Sequence, residues 1–439
     1  MKVLFLTTYN VTLKHEHFFT INVWRALVRQ HSHNVTHSKD ELILGTIVLD
    51  AKDNEYVDCI EADGHQYYQL HLSSQLKQSE IVGALARFFT KLKVDVIHSS
   101  MIEGYDVEAA KLCHIPICLT IHIGGFICPR GGGNGFLRYD DTICNQPVGF
   151  GCSHCCASDI PFPGIAYALS RCIPSKFACH LLERMRRHVF YLTPLLLTKV
   201  SVQQCQERIE LFKYATIFAA NERLRYLLAL NGLRDNVMLL PHGVEERERL
   251  PFPPVEGKVK FFFLGRLQYS KGVHVLLRAL EGIDRDSYEL HVIGDAGKSR
   301  ADVRYEQSLH SLAKDKSVIF HGRIRNDEIE GVIKSMHVMI HSAIFLEVYG
   351  ISIAESLAMG RPVLATRCGG AEMQVKEGVN GWLVNPNDVD ALRKSILKVI
   401  RNKEQLIDYS ARCSLPHPID AYAAKLWDIY RDKNNNDSF

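Results

Sequence analysis

The sequence lacks the features that mark several classes of protein. It has no apolar run approaching the roughly 20 residues that a membrane-spanning helix requires. The formal net charge is only +3, which gives no electrostatic basis for binding nucleic acid. The apolar stretch after Met1 is far too short for a secretory signal peptide. These shortages predict a cytosolic protein that neither crosses a membrane nor binds nucleic acid.

The chain does contain enough apolar material for more than one large core. Its 439 residues are 46% hydrophobic and 23% charged, proportions that are typical of soluble globular proteins. A chain of this length predicts two or three domains. The sequence also has 13 cysteines. In a chain expected in the cytosol, they favour metal binding or buried thiols over disulfides.

Short apolar runs alternate with stretches of helical periodicity from one end of the chain to the other. Such runs are typical of buried parallel strands, and their alternation with helices predicts an α/β fold with two doubly wound, Rossmann-like domains. The runs begin at Val3, Leu42, Val94, Ile117, Thr216 and Val237 in the first series, and at Val259, Leu290, Ser317, Val338, Val363 and Trp382 in the second.

A charged, proline-rich stretch that begins at Gly243 separates the two series of strands. We therefore predict an N-terminal domain over residues 1–243 and a C-terminal domain over residues 244–415. Residues 416–431 include the pattern of a final helix, and residues 432–439 have the composition of a disordered tail.

The most informative segment begins at Glu347. A buried strand ends near His341, and helical periodicity runs from Gly350 until Gly360 ends it. The N-terminus of such a helix presents unpaired backbone N–H groups and a partial positive charge, which suit a diphosphate. Because Glu347 precedes the helix and Glu355 lies about one and a half turns inside it, both carboxylates can face one crevice.

This segment resembles the retaining glycosyltransferases of family 4, which have the GT-B fold. The resemblance implies two Rossmann-like domains facing a central cleft, with the last helix returning to the N-terminal domain. It also implies sugar transfer from a nucleoside-diphosphate sugar to a hydroxyl acceptor, in polysaccharide, lipopolysaccharide or glycan biosynthesis. Further matching motifs are Phe263-Leu-Gly-Arg-Leu, Lys271-Gly, Val292-Ile-Gly-Asp, Pro362-Val-Leu-Ala-Thr, Gly369-Gly-Ala-Glu and Asn380-Gly-Trp-Leu-Val.

The resemblance implies roles for residues of the donor site. Negative charge builds on the leaving diphosphate during transfer, and Arg266 with Lys271 would neutralise it without a divalent cation. Glu347 would contact sugar hydroxyls, and Glu355 would contact the nucleotide ribose. The other expected donor-binding residues are Gly265, Gly294 to Gly297, Arg323 and Ile324 against the base, and the backbone amides of Tyr349, Gly350 and Ile351.

Two histidines stand at the carboxyl ends of predicted strands, where α/β domains bind ligands. His122 matches the histidine of the family that contacts the transferred sugar or the acceptor. Ile123 replaces the aspartate that commonly follows it. His98 is a second candidate, with a structural role as the alternative. The polar loop from Thr8 lacks the glycine pair of many relatives, so no acceptor contact is assigned there.

Five cysteines fall within the glycine-rich loop 124–157. Cys152 and Cys155 form a Cys-x-x-Cys pair, and Cys128 and Cys144 complete a four-sulfur set that suits a structural metal. A subset of bacterial family-4 enzymes has a similar pattern. Spacing alone does not separate Zn²⁺ from an iron–sulfur cluster. The alternative is a group of free thiols or a redox-active pair.

A basic, apolar segment follows this loop. Residues 169–199 contain six basic residues and one acidic residue, which gives a local net charge of +5. Such a segment can lie on anionic lipid, which would place the protein peripherally on the membrane and favour a lipid-linked glycan acceptor. The alternative is a helix with a solvated basic face.

Two other functions stay open at this point. A nucleotide-sugar epimerase on the same fold would isomerise the donor without any acceptor. A non-catalytic sugar-nucleotide or redox sensor would use the cysteine cluster as its switch.

Overall fold

The chain forms two compact units in a computed structural model. The structure describes residues 1–7, 19–33, 40–50, 55–62, 65–101, 103–122, 124–131, 135–149, 151–158 and 193–435, with Ala168 and Ala178. Unit 1 comprises Met1–Pro129, Pro147–Glu245 and Pro418–Phe439, and unit 2 comprises Arg130–Gln146 and Glu246–His417.

Unit 1 is an α/β domain built on an eight-stranded sheet. Its strands are β1 (Lys2–Thr7), β2 (Glu41–Asp50), β3 (Tyr56–Ala62), β4 (His65–Ser73), β5 (Val96–Ser99), β6 (Ile117–Thr120), β7 (Thr216–Ala219) and β8 (Val237–Leu239). They lie in the order β3-β4-β2-β1-β5-β6-β7-β8. Neighbouring strands are parallel, except that β3 pairs antiparallel with β4.

The centre of this sheet is buried on both faces, which explains its continuous apolar runs. In β1, Val3 pairs with Leu42 on one side and with Val96 on the other. The helices of unit 1 are α1 (Phe19–His33), α2 (Gln78–Leu92), α3 (Tyr105–Leu112), α4 (Cys152–Ala157), α5 (Thr193–Phe212), α6 (Glu222–Leu230) and the last helix of the chain, Ile419–Asn435.

The last helix packs against α1. Its apolar face joins the core of unit 1, where Ile419 and Trp427 lie with Trp24 and Leu27. The indole N–H of Trp427 donates to the backbone oxygen of Leu27 at 3.0 Å. Because this helix continues to Asn435, the first four residues of the predicted disordered tail are helical. The final four lie outside the described residues.

Unit 2 is built on a six-stranded sheet in which every neighbouring pair is parallel. Its strands are β9 (Val259–Leu264), β10 (Tyr288–Ile293), β11 (Val318–Gly322), β12 (Val338–His341), β13 (Val363–Thr366) and β14 (Gly381–Val384), in the order β11-β10-β9-β12-β13-β14. Its helices are α7 (Val273–Ala279), α8 (Arg300–Leu312), α9 (Ile329–Ile333), α10 (Ile351–Ala358), α11 (Gly370–Gln374), α12 (Val389–Arg401) and α13 (Leu406–Ala411). The last helix of the chain is therefore α14.

The segment 130–146 differs from the prediction, which placed all of loop 124–157 in the N-terminal domain. It groups with unit 2 because Leu137 is buried in the core of that unit. Between Phe136 and Cys144 the chain folds back on itself, and the N–H of Cys144 donates to the backbone oxygen of Phe136 at 2.8 Å.

The predicted α/β class, with two domains of mainly parallel strands, is confirmed. Across the part of the chain that the structure describes, none of the helices combines the length and apolar character that crossing a bilayer requires.

Candidate functional site

The predicted donor residues of unit 2 gather at one edge of its sheet. Because all six strands are parallel, the segments that leave their carboxyl ends meet there, which is where α/β domains bind ligands. Gly265 and Arg266 follow β9, Gly294 follows β10, Arg323 and Ile324 follow β11, and the segment from β12 leads through Glu347 to α10.

Two of these segments approach so closely that only glycine fits. Gly294 has a φ of 137°, and a Cβ added there would lie 1.9 Å from the backbone oxygen of Gly265. The N–H of Leu267 also donates to the backbone oxygen of Asp295 at 2.8 Å. The backbones after β9 and β10 therefore form one fixed surface at the base of the site.

Helix α10 begins as predicted, directly after Gly350. Gly350 has a φ of 84°, in the left-handed region, where glycine carries no steric penalty. The turn before the helix is held from below by Gln374, whose amide Nε2 donates to the backbone oxygens of Tyr349 at 2.5 Å and Gly370 at 3.2 Å. The first N–H groups of α10 are thus presented at the carboxyl edge of the sheet.

Lys271 and Glu347 form an ion pair in this site. The Lys271 ammonium donates to Glu347 Oε2, and the two side chains are 20% and 14% exposed. Lys271 ends a short 3₁₀ turn after β9, while Glu347 is fixed by a hydrogen bond from its N–H to the backbone oxygen of Cys368 at 2.8 Å. The sequence placed these residues in one site, and the structure brings their side chains into contact.

His341 lies on the buried side of this pair. Its Nε2 is 3.5 Å from Glu347 Oε2, and its Nδ1 is 4.0 Å from the Cys368 sulfur. Burial alone would lower the pKa of His341, but the neighbouring Cys368 and Glu347 outweigh burial and raise it to about 9. Burial would likewise raise the pKa of Glu347, but Lys271 and His341 hold it well below its usual range. Glu347 is therefore a carboxylate between two cationic groups.

Glu355 lies inside α10 as predicted, but it has a partner that the sequence did not reveal. Arg247 Nη2 donates to Glu355 Oε1 at 2.9 Å. The same guanidinium reaches Asn326 Oδ1 at 3.1 Å and Glu330 Oε1 at 3.4 Å. Arg247 belongs to the charged stretch that the sequence analysis treated as a domain boundary.

The remaining donor candidates lie nearer the surface. Arg266 and Arg323 are exposed, and Ile324 is half-buried. The structure thus places Arg266 where its guanidinium is accessible to an anion from solution.

The two candidate histidines, His98 and His122, both belong to unit 1 but have different surroundings. His98 is buried and bridges two hydroxyls, that of Tyr430 at Nδ1 and that of Thr120 at Nε2. Burial lowers the pKa of His98 to about 3, so it is a neutral residue of the core. His122 follows β6 and packs against the ring of His242 at 5.2 Å between centroids. Burial lowers its pKa to about 4, so His122 is neutral at physiological pH.

The cysteines of the predicted metal site are divided between the units. Cys128, Cys152 and Cys155 belong to unit 1, the latter two on α4, whereas Cys144 belongs to unit 2. Within the described ranges, no group of three or more His, Cys, Asp or Glu side chains is arranged to hold a metal ion. The four-sulfur site stays a prediction.

Two other sequence interpretations lie largely beyond the described residues. The polar loop from Thr8 falls outside them entirely, and so does most of the basic segment between Leu169 and Lys199.

Sequence reasoning missed Arg247, His341, Asn326 and Gln374. A weak signal existed for His341, since a histidine is uncommon in a strand that is otherwise apolar. The partners of Arg247 are up to 108 positions away in sequence, so periodicity and spacing could not reveal them.

Comparison with curated proteins gives partial matches. The chain is 27% identical over 211 residues to the O-antigen chain mannosyltransferase C of Escherichia coli, covering 44% of this chain and 55% of that protein. It is 29% identical over 187 residues to the D-inositol 3-phosphate glycosyltransferase of Corynebacterium urealyticum, covering 40% of this chain and 44% of the relative. The chain thus spans about half the length of these relatives.

Comparison with solved structures covers nearly the whole chain and concerns the fold. A crystal structure of Anabaena HepE in complex with UDP and glucose aligns with a TM-score of 0.62 and 14% identity, over 98% of this chain and 99% of that one. Sucrose-phosphate synthase from Thermosynechococcus elongatus aligns with a TM-score of 0.63 and 15% identity, over 98% and 99%. These similarities confirm the GT-B fold expected from the sequence.

A family model matches the part of the chain that contains the predicted donor site. It describes the glycosyl transferases group 1 and matches residues 244–413, which include every donor residue predicted from the sequence. Residues 244–413 are therefore a domain of the glycosyl transferase group 1 family.

Proposed function

We propose that this protein is a retaining glycosyltransferase that moves a sugar from a nucleoside-diphosphate sugar to a hydroxyl acceptor. The observation that carries the proposal is the Lys271–Glu347 ion pair beside the N-terminus of α10. A cation and a helix N-terminus suit a diphosphate, and a carboxylate accepts hydrogen bonds from sugar hydroxyls.

In the proposed reaction, the bond between the anomeric carbon and the diphosphate oxygen breaks. The acceptor oxygen forms a new bond to the same face of that carbon, and its proton passes to the leaving phosphate. Arg266, Lys271 and the N–H groups of Tyr349, Gly350 and Ile351 would stabilise the developing negative charge. No residue of this chain is required as the base, and no divalent cation is invoked.

Glu347 would orient the transferred sugar. The cations around it keep it ionised, so it can accept hydrogen bonds from the sugar but has no proton to donate. Glu355 would accept from the ribose, and Arg323 with Ile324 would lie against the base. His122, neutral at its lowered pKa, would serve as a hydrogen-bonding partner of the sugar or the acceptor.

The acceptor and the product are proposed at the level of class. The named relatives include a mannosyltransferase of O-antigen chains, which supports a role in polysaccharide, lipopolysaccharide or glycan synthesis. A lipid-linked acceptor, with peripheral membrane contact through residues 169–199 on the cytoplasmic face, rests on the charge balance of that segment.

A thermal-shift screen tests the donor. Wild type and Arg266→Ala are each mixed with UDP-, GDP- and ADP-linked sugars, and the shift in Tm is measured. We expect one nucleotide sugar to stabilise the wild type and Arg266→Ala to lose most of that shift. An unchanged shift in Arg266→Ala would refute its role. Donor isomerised in the absence of any acceptor would instead establish an epimerase.

We also propose that the cysteine cluster holds a structural metal, either Zn²⁺ or an iron–sulfur cluster. Cys152 and Cys155 lie on one short helix, and Cys128 belongs to the same unit. Metal analysis of anaerobically purified protein tests this, because an iron–sulfur cluster gives a brown sample and zinc a colourless one. Since Cys144 belongs to unit 2, Cys144→Ser compared with Cys152→Ser shows whether it is a ligand. Metal-free wild-type protein would refute the site, and transfer activity in a folded Cys152→Ser/Cys155→Ser variant would exclude a sensor that relies on these thiols.

A further inference from the structure

Arg247 occupies a central place among the residues expected to contact the nucleoside. Its Nη2 donates to Glu355 Oε1 at 2.9 Å and to Asn326 Oδ1 at 3.1 Å. Its Nη1 lies 3.4 Å from Glu330 Oε1. Arg247 therefore connects three separate elements: helix α10, the segment that follows β11, and helix α9.

Arg247 and Glu355 are both largely buried, which favours one geometry of their contact. The side chains of Arg247 and Glu355 are 17% and 18% exposed, so water competes weakly for their hydrogen bonds. A guanidinium is planar and its N–H groups have fixed directions, so it orients a carboxylate more strictly than an ammonium does. One rotamer of Glu355 is consequently favoured before any ligand arrives.

This orientation leaves one carboxylate oxygen for a ligand. Oε1 of Glu355 accepts from Arg247, whereas Oε2 receives no hydrogen bond from any other residue that the structure describes. An ionised carboxylate oxygen accepts from two donors. The vicinal hydroxyls of a ribose are donors of the required kind.

We propose that Arg247 is a positioning residue for recognition of the nucleoside. It fixes Glu355 so that Oε2 accepts from the ribose hydroxyls, and through Asn326 it ties this carboxylate to the segment that begins with Arg323 and Ile324. This inference rests on the proposed function and deepens it: Arg247 sets affinity for the nucleoside half of the donor and leaves the diphosphate half unaffected.

The experiment separates the two halves of the ligand by calorimetry. Wild type is titrated with UDP, GDP, ADP and CDP. The tightest binder is carried forward together with its 2′,3′-dideoxy analogue and with inorganic pyrophosphate. In the wild type, removing the hydroxyls should weaken binding by about tenfold or more, as expected for hydrogen bonds to a charged group. In Arg247→Gln that penalty should fall below about threefold, while the Kd for pyrophosphate stays within about twofold of the wild-type value.

Two further variants control for general damage. Arg247→Lys keeps the charge but lacks the planar fork, and should recover part of the ribose preference. Asn326→Ala removes one partner of Arg247 on a surface segment, and should raise the Kd for the nucleotide by about threefold. If Arg247→Gln fails to fold, the nucleotide Kd of Asn326→Ala tests the role of Arg247 instead.

The outcomes distinguish this inference from the proposed function. A wild type that binds none of the four nucleotides would overturn both. A wild type that binds and prefers the ribose, with Arg247→Gln keeping the full preference, would overturn only the role of Arg247. Equal losses of affinity for the nucleotide and for pyrophosphate in Arg247→Gln would show that Arg247 supports the fold rather than recognition of the nucleoside.

Discussion

The Lys271 ammonium donates to the Glu347 carboxylate in the structure, although the two groups are expected to contact different parts of the donor. The ion pair lies in a largely buried place, where Lys271 and His341 hold the pKa of Glu347 well below its usual range. A diphosphate that binds beside Lys271 would share its remaining N–H donors, while the Glu347 carboxylate would accept from the sugar hydroxyls. The site is thus organised before the donor arrives, which lowers the cost of binding.

Removing the cation of this pair should impair catalysis more than stability. In Lys271→Met the apolar stem remains, but the charge that opposes the developing negative charge of the diphosphate is lost. We expect kcat to fall by about 100-fold or more, as measured by the release of nucleoside diphosphate. Lys394→Met, on the exposed face of α12, is the matched control and should keep its activity. A decrease of less than about threefold in Lys271→Met would contradict the assignment.

The raised pKa of His341 makes stability depend on pH in a defined window. Because the folded state raises this pKa to about 9, the stabilisation is complete below the unfolded value of about 6.5 and is lost as pH rises through about 9. At about 1.4 kcal/mol per pKa unit, the shift corresponds to about 3 kcal/mol. The measurement is the free energy of unfolding of wild type and His341→Gln across this range.

The difference in the free energy of unfolding between wild type and His341→Gln should shrink as pH rises. A difference that stays constant between pH 6 and pH 10 would show that His341 carries no charge in the folded protein, and that its link to Glu347 is absent.

The contact between Tyr269 and Asp141 should anchor segment 130–146 to the rest of unit 2. The Tyr269 hydroxyl donates to Asp141 Oδ2 at 2.7 Å. Tyr269→Phe removes only this hydroxyl, so we expect a loss of about 0.5–1.5 kcal/mol of stability and faster hydrogen exchange in the segment. Tyr226→Phe, at an exposed position, is the control. Unaltered exchange in Tyr269→Phe would mean that this hydrogen bond does not hold the segment.

Gly370 should tolerate no side chain. A Cβ added there would lie 2.1 Å from the backbone oxygen of Tyr349, and neither backbone can move without disturbing the turn before α10. We expect Gly370→Ala to lose about 3 kcal/mol or more and to weaken donor binding. Gly331→Ala faces open space in α9 and should be neutral or stabilising by up to about 1 kcal/mol. Similar denaturation midpoints for the two variants would contradict the packing described here.

The sequence predicted most of the strands because buried parallel strands consist of continuous apolar residues. It missed the hairpin of β3 and β4, whose polar residues alternate with apolar ones at an edge of the sheet. It also could not place segment 130–146, because the burial of Leu137 in unit 2 is a tertiary contact that no local pattern encodes.

The sequence predicted which segments form the donor site, but not every contact between their side chains. The residues around Glu347 and α10 follow from a strand, a turn and a helix N-terminus that are contiguous in sequence. The pairing of Glu355 with Arg247 depends on long-range packing, so neither composition nor spacing could indicate it.

The most direct test of the central claim is a crystal structure of the protein soaked with the nucleotide sugar that stabilises it most. We predict density for a diphosphate within hydrogen-bond distance of Arg266, Lys271 and the N-terminus of α10, with Glu347 against the sugar. A fully occupied ligand bound elsewhere, or an empty carboxyl edge of the unit 2 sheet at saturating ligand, would contradict the account.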